Sequence, residues 1–282
     1  MIKLCNIDHF DLRQTFLCGQ CFRWEEDENG AFYGVVANRA AKAYCHSPNT
    51  IYLESSDPDP MFWNNYLNLS CDYNAVEADL ATDLQLRPCI EAGRGIRILR
   101  QDLWETLISF IISANNNIPR IKKIIDKLCL LYGNQIDFDG KTFYGFPSAE
   151  TLSKLQLEDL AEIKAGFRDK YILDAAKKVT SGEVRLDQIP KLSNKAAKAE
   201  LMKIKGVGTK VSDCILLFSL GRHDVFPLDV WTKRILNDVY AADEKSLDDF
   251  IAKKFGKNAG IAQQYLYYYY AIEGNQTKLK AV

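Results

Sequence analysis

No apolar stretch in this 282-residue chain approaches the roughly 20 residues that a membrane-spanning helix requires. The opening residues, Met1-Ile2-Lys3-Leu4-Cys5-Asn6-Ile7-Asp8, carry neither the charged nor the apolar region of a secretory signal. These absences predict a soluble intracellular protein (cytoplasm or nucleoid in a bacterium) with no membrane among its partners. They also favour reduced thiols over a disulfide framework for its eight scattered cysteines. No cysteine follows Cys214, which excludes a four-cysteine cluster towards the C-terminus. Cys18-Gly19-Gln20-Cys21 has metal or redox spacing, but no second pair and no His-x-x-x-His accompanies it, so two partly buried thiols and no metal site are expected. Net charge is nearly absent too: −1 overall with a pI of about 6.3, so the sum makes no case for a nucleic-acid partner.

The distribution of charge makes that case instead. Six lysines and one acid, Glu200, lie between Lys191 and Lys210, whereas acids gather at Glu25–Glu28 and again at Asp243, Glu244, Asp248 and Asp249. With 47% hydrophobic residues the chain has ample material for a core, and its length suits one large domain or two moderate ones.

Short alternating segments dominate the first ninety residues. Cys21–Trp24, Ala31–Val36, Ala41–Cys45 and Ile51–Leu53 are separated by polar turns and predict an antiparallel sheet, followed by helices at Phe62–Leu69 and Asn74–Ile90. Beyond Arg94 the apolar spacing becomes helical. Leu103, Leu107, Phe110 and Ile111 mark one helix, and Ile121, Ile124, Ile125, Leu128 and Leu131 mark the next. Between them Ser113-Ala114-Asn115-Asn116-Asn117-Ile118-Pro119 breaks the pattern, with Pro119 suited to a first helical turn. Further helices are expected at 148–158, 170–181, 193–204, 209–219, 230–239 and 260–272, with the tyrosines of 267–270 packing along the last. The predicted class is α+β: an N-terminal antiparallel β domain with flanking helices (1–92), then a larger helical domain (93–282).

One segment carries chemistry. Gly206-Val207-Gly208 joins two helical patterns, and such a turn can bring bare N–H groups against a phosphate at the start of the second helix. It is no dinucleotide fingerprint, because a third glycine and a preceding strand are missing, and no P-loop, because no Gly-Lys-Ser/Thr follows. Most such turns only join helices. Here Lys210 stands in the first turn beyond it, and Cys214 lies four residues on, on the same face. An ammonium in water is no nucleophile, so a lysine that attacks carbon needs a desolvating cleft. Asp229 follows Pro227 at a position suited to capping a helix, which is compatible with stabilising positive charge on a sugar ring.

Hairpin, lysine and aspartate resemble the helix-hairpin-helix–Gly/Pro–Asp superfamily of DNA glycosylases. The resemblance extends to five motifs in order: Gly19-Gln20-Cys21-Phe22-Arg23-Trp24, Asn115-Asn116-Asn117-Ile118-Pro119-Arg120, Gly166-Phe167-Arg168, Gly206 to Cys214, and Gly260-Ile261-Ala262-Gln263. Their order is that of the 8-oxoguanine DNA glycosylase/AP lyase family, and the matches run from about Cys18 to Tyr267. The resemblance implies a monomeric enzyme that removes 8-oxoguanine from duplex DNA, forms a Schiff base and nicks the strand by β-elimination. It implies no required cofactor and no iron–sulfur cluster. It casts Lys210 as nucleophile and Asp229 as stabiliser of the oxocarbenium-like transition state. Gly19 would accept a hydrogen bond from N7–H of the lesion, Gln263 would read its Watson–Crick edge, and Tyr267 and Cys214 would cover its two faces. Asn115 would fill the vacated space, with Phe167 as wedge and Arg120 and Arg168 facing the orphaned base. Lys205, Gly206, Val207 and Gly208 would hold phosphate.

Three departures stand out. Lys205 replaces the usual proline, which would loosen the turn while adding charge. Trp231 stands where a histidine is frequent, and Phe167 where tyrosine is better known. Two rival readings remain: a glycosylase for another damaged or mispaired purine, and a non-catalytic DNA-binding hairpin module. Lys210 with Asp229, and Gly19 with Gln263, speak against them.

Overall fold

The computed structural model describes residues 1–5, 7–47 and 50–274. Strands β1 (Ile2–Cys5), β2 (Trp24–Glu26), β3 (Phe32–Val36), β4 (Arg39–Ser47) and β5 (Thr50–Ser55) form one antiparallel sheet in the order β1-β5-β4-β3-β2. Alternation decides its faces: Trp24, Phe32, Ala41, Ala43, Ile51 and Leu53 point into a core with Phe16 and Trp63, while Tyr33, Tyr44 and Tyr52 point outward. Helix α1 (Leu12–Leu17) supplies Phe16, whose ring stacks on Trp24 at 4.1 Å, and α2 (Pro60–Tyr66) supplies Trp63 and Tyr66. The indole of Trp24 donates to the hydroxyl of Tyr66 at 2.7 Å, so its one polar atom is satisfied inside the core.

Helices α3 (Tyr73–Leu80) and α4 (Arg87–Ala92) face the other way. Their buried side chains join a larger core together with Cys18 and Phe22. The change of period near residue 92 therefore divides the chain but not the packing. That core is built by α5 (Leu103–Ser113), α6 (Ile118–Tyr132), α7 (Ala149–Ser153), α8 (Asp169–Thr180), α9 (Asn194–Leu201), α10 (Thr209–Leu220), α11 (Val230–Tyr240), α12 (Leu247–Phe255) and α13 (Ala259–Tyr267).

Several expectations needed correction. The segment 74–90 is two helices, because Asp83 accepts from the amide of Gln85 at 2.9 Å and Pro88 fits only the start of a helix. The strand expected at 21–24 begins only at Trp24, since Cys18–Arg23 is an irregular turn held by side chains. The last helix gives way at Tyr268 to a π-helical stretch through Ile272; Tyr269 and Tyr270 turn into the core, and Tyr267 does not. The expected domain end, 275–282, lies outside the described residues.

A two-stranded hairpin, β6 (Gln135–Phe138) and β7 (Lys141–Tyr144), was not foreseen. Its turn is Asp139-Gly140, both at positive φ, as tight hairpins demand. Asp139 then accepts from the Tyr33 hydroxyl at 2.7 Å and the Lys42 ammonium at 3.0 Å, docking the hairpin on the outer face of the sheet.

Where sheet and helices meet, Arg23 donates to the carbonyl of Tyr144 and lies 3.8 Å from Glu105 in the first turn of α5. Burial pushes the Glu105 carboxyl up to about 7, with Arg23 pulling the other way. A carboxyl that holds its proton more tightly folded than unfolded stabilises the fold below its unfolded value, near 4.5, and that contribution disappears as pH rises through 7. Glu105→Gln should therefore gain about 3 kcal/mol relative to the parent between pH 4.5 and pH 8. Denaturant unfolding of both proteins across that range measures it, and a difference that stays constant with pH would contradict it.

Candidate active site

Into the larger core opens a cleft of about 590 Å³ lined by Gly19, Phe110, Asn115, Lys210, Cys214, Asp229, Gln263 and Tyr267, among others. Seven of the expected site positions, from Gly19 to Tyr267, are thus gathered around a single cavity, whereas Arg120, Phe167, Arg168 and the hairpin residues 205–208 lie outside its lining. Lys210 enters from the first turn of α10, half-buried, with its ammonium 5.4 Å from the centre of the Phe110 ring. Cys214 lies one turn deeper on α10. Burial pushes its thiol up to about 11, and the neighbouring Lys210 offsets part of that. Phe110, earlier assigned only to a helix core, stacks on Phe218 and meets Phe22 edge-on, giving the cleft an aromatic floor.

Asp229 caps α11. Its Oδ1 accepts from the amide of Thr232 at 2.8 Å, and Thr232 Oγ1 accepts from the amide of Asp229 at 2.8 Å, a reciprocal box. Among the described residues, Oδ2 has no hydrogen bond. One oxygen thus fixes the carboxylate while the other remains available to the cleft.

Opposite stand Gly19, Gln263 and Tyr267. Gly19 has φ +87°, and a Cβ there would lie 3.6 Å from Tyr267 Cε1 and 3.4 Å from Ile118 Cδ1, so the glycine backbone borders the tyrosine ring closely. The Tyr267 hydroxyl is pushed up to about 12, chiefly by burial and secondarily by Asp229. Gln263 is 5% exposed, and its carboxamide oxygen is buried with no hydrogen-bond partner. Leaving such an acceptor unpaired costs about 1–3 kcal/mol, which a ligand donor would recover.

The three-asparagine break divides its labour. Asn116 Nδ2 donates to the carbonyl of Ile112 at 3.1 Å, and Asn117 caps α6 by accepting from the amide of Arg120 at 3.0 Å. Asn115, at φ +50° and exposed, has no such local duty among the described residues and lines the cleft. Arg120 is exposed beside it, with one long bond of 3.4 Å to the carbonyl of Lys164. Phe167 is 49% exposed and leans edge-on against Tyr171.

Arg168 departs from its expected role. It does not face outward: it is 2% exposed and donates to the carbonyls of Ala114 at 2.8 Å, Asn115 at 2.9 Å and Ala165 at 3.0 Å. The end of α5 leaves unpaired carbonyls, and a five-donor guanidinium collects them, which fixes the Asn115 backbone.

At the hairpin, Gly206 has φ +85°, and a Cβ there would fall 2.5 Å from the Tyr171 ring. Val207 is buried, and its amide donates to the carbonyl of Ile204 at 3.1 Å, so it holds the turn and is not a phosphate donor as expected. Gly208 begins α10 without a side-chain cap, which leaves the first amides of that helix for an anion. Lys205 does not loosen the turn. The amide that proline would lack donates to Asp174 at 2.8 Å, and its ammonium lies 3.8 Å from the same carboxylate. Lys198 of the basic stretch is a strut, 2.8 Å from buried Asp213. Trp231 lines the mouth of the cleft, 38% exposed. Among the described residues, no group of three or more His, Cys, Asp or Glu could hold a metal ion, and no helix is long and apolar enough to cross a membrane.

Comparison with known proteins matches residues 3–107 to the 8-oxoguanine DNA glycosylase N-terminal domain and residues 108–259 to the HhH-GPD superfamily of base excision DNA repair proteins. The N-glycosylase/DNA lyase OGG1 of Arabidopsis thaliana is 32% identical over 94% of this chain and 78% of its own length. The solved structure of MBOgg1 with a low-affinity DNA ligand superposes with a TM-score of 0.92 at 42% identity, over 96% of each chain. The 8-oxoguanine glycosylase/lyase of Clostridium acetobutylicum, solved with duplex DNA containing cytosine opposite 8-oxoguanine, gives 0.91 at 37% identity, over 97% of this chain and 95% of that one.

The two hairpin glycines should respond differently to alanine. Gly206→Ala forces a side chain into the left-handed region and against an aromatic ring, and should cost about 1–3 kcal/mol of stability. Gly208→Ala occupies open space at φ −103°, so stability should stay within about 0.5 kcal/mol, while affinity for duplex DNA falls about tenfold as the methyl blocks the approach of phosphate. Thermal melts and DNA titrations of both variants separate the effects; equal destabilisation by the two would contradict the assignment.

Proposed function

We propose that this chain, which belongs to the 8-oxoguanine DNA glycosylase family of the HhH-GPD superfamily, removes 8-oxoguanine from duplex DNA and then cleaves the strand at the resulting abasic site. One observation carries the reading: Gln263, whose buried carboxamide oxygen has no hydrogen-bond partner, lines the same cavity as Lys210 and Asp229. An acceptor waiting for a base donor, beside an amine and a carboxylate, suits a nucleotide rotated out of the helix.

In this scheme the damaged base lies between Tyr267 and Cys214. Gln263 accepts hydrogen bonds from its Watson–Crick edge. The Gly19 carbonyl accepts from N7–H, which 8-oxoguanine has and guanine lacks. The unprotonated amine of Lys210 attacks C1′ as the bond from C1′ to the base nitrogen breaks, and the electron pair leaves with the base, which takes up a proton. Asp229 stabilises the cationic sugar through its unshared oxygen. Opening of the sugar ring gives a lysine iminium, loss of a proton from C2′ expels the 3′ phosphate, and water releases the amine. Amine, carboxylate and water suffice, so we propose no cofactor. Asn115 fills the gap in the duplex, Phe167 wedges the stack, and Arg120 faces the partner base. The protein acts as a monomer in the compartment that holds DNA.

Lys210→Gln should keep the fold and DNA affinity but lose both base excision and the adduct trapped by borohydride; an adduct that persists in the variant places the nucleophile elsewhere. Phe167 lacks a hydroxyl with which to fix the partner base or Arg120. One lost hydrogen bond of roughly 1 kcal/mol amounts to nearly tenfold in selectivity. Phe167→Tyr should therefore favour cytosine opposite the lesion more sharply than the parent does. Excision rates opposite each of the four bases measure this, and an unchanged profile would reduce Phe167 to a packing wedge.

A further inference from the structure

A single carbonyl can discriminate N7–H from a lone pair only if it is held in place. Glycine is the residue least able to hold itself, and Gly19 sits at φ +87° in an irregular turn. The carbonyls on either side of it are both fixed by glutamine side chains. Gln264 Nε2 donates to the carbonyl of Cys18 at 2.9 Å, and Gln101 Nε2 donates to the carbonyl of Gln20 at 2.7 Å. Gln20 is fully buried. Its amide donates to the carbonyls of Thr15 and Arg97, both at 2.8 Å, and its Oε1 accepts from the amide of Leu99 at 2.9 Å. Both of its N–H donors and its carbonyl oxygen are thus engaged with main chain. Among the described residues, the Gly19 carbonyl between these two anchored groups accepts no hydrogen bond.

We infer that Gln264, together with Gln20 and Gln101, is a positioning residue that fixes the Gly19 carbonyl as the reader of N7–H. The inference rests on the functional reading above. Gln264 is adjacent to Gln263 on α13, but the two amides point to different tasks. Gln263 lines the cleft with its oxygen unpaired, and Gln264, 2% exposed, reaches back to the turn. One helix thereby sets the distance between the group that reads the Watson–Crick edge and the group that reads N7–H. Neither the ring above the base nor the lysine takes part in this link.

The test uses the full chain in a Lys210→Gln background, where binding is measured without turnover. Affinities are compared for three otherwise identical duplexes, carrying 8-oxoguanine, guanine or a tetrahydrofuran abasic analogue. Gln264→Met keeps length and bulk but cannot donate. It should lower the preference for 8-oxoguanine over guanine by up to about tenfold, the scale of one lost hydrogen bond, because the carbonyl next to Gly19 is released. Gln101→Met, which frees the other side of the turn, should lower it in the same direction. The abasic duplex offers no base to read and serves as the control for structure. A parallel loss of affinity there, or a preference unchanged in both variants, overturns the positioning role while leaving the enzyme assignment intact. A parent protein with no preference for 8-oxoguanine overturns both.

Discussion

Helix α10 is largely enclosed: Val211 to Ser219 are all buried, and Lys210 in its first turn stands half-buried in the cleft. The rest of the site is arranged around that constraint. A helix sunk in the core cannot tilt or slide without opening cavities, so Lys210 at its mouth inherits the rigidity of the core and not that of a loop. The same enclosure takes Asp213 inside. Burial pushes that carboxyl up, and Lys198 from α9 answers it at 2.8 Å. That pair ties together the two helices flanking the hairpin, so the first amides of α10 and the amine of Lys210 keep a fixed spacing.

Around this helix, the groups left for chemistry are those without structural employment. Two asparagines of the break cap helices and the third does not. Asp229 spends one oxygen on α11 and keeps the other. Gln264 is bound to main chain, while the oxygen of Gln263 is not. Arg168 illustrates the reverse. Its charge looked available from its place beside Phe167, but the open end of α5 claimed it. A residue's type sets what it could do, and its neighbours decide whether it is free to do it.

The larger architecture was legible because its signals are local. Alternation announced the sheet, glycines with a following apolar run announced the hairpin and α10, and ordered motifs suggested the roles of Lys210, Asp229 and Gln263. What escaped depends on contacts distant in sequence. Nothing near Gln264 says that it reaches the turn 246 positions away, and nothing near Arg168 says that it spans to Ala114. The hairpin at 135–144 was a different kind of miss. Asp139-Gly140 is a strong turn signal, but its strands are four residues each, too short to register as a period. Lys205 was misjudged because the loss of proline was weighed as lost stiffness, while the donor gained at its nitrogen found Asp174.

The buried cysteines have a consequence beyond packing. Thiols react with peroxide as thiolates, and burial holds Cys18 and Cys214 near 12 and 11. At neutral pH only about one Cys214 in ten thousand is ionised. A catalyst directed at oxidised DNA must work amid the oxidants that made the lesion, and a thiol kept protonated in the cleft wall gives a soft, polarisable surface that is slow to form a sulfenic acid. Burial thus gives the cleft wall a sulfur that is slow to react with the agents that damage the DNA.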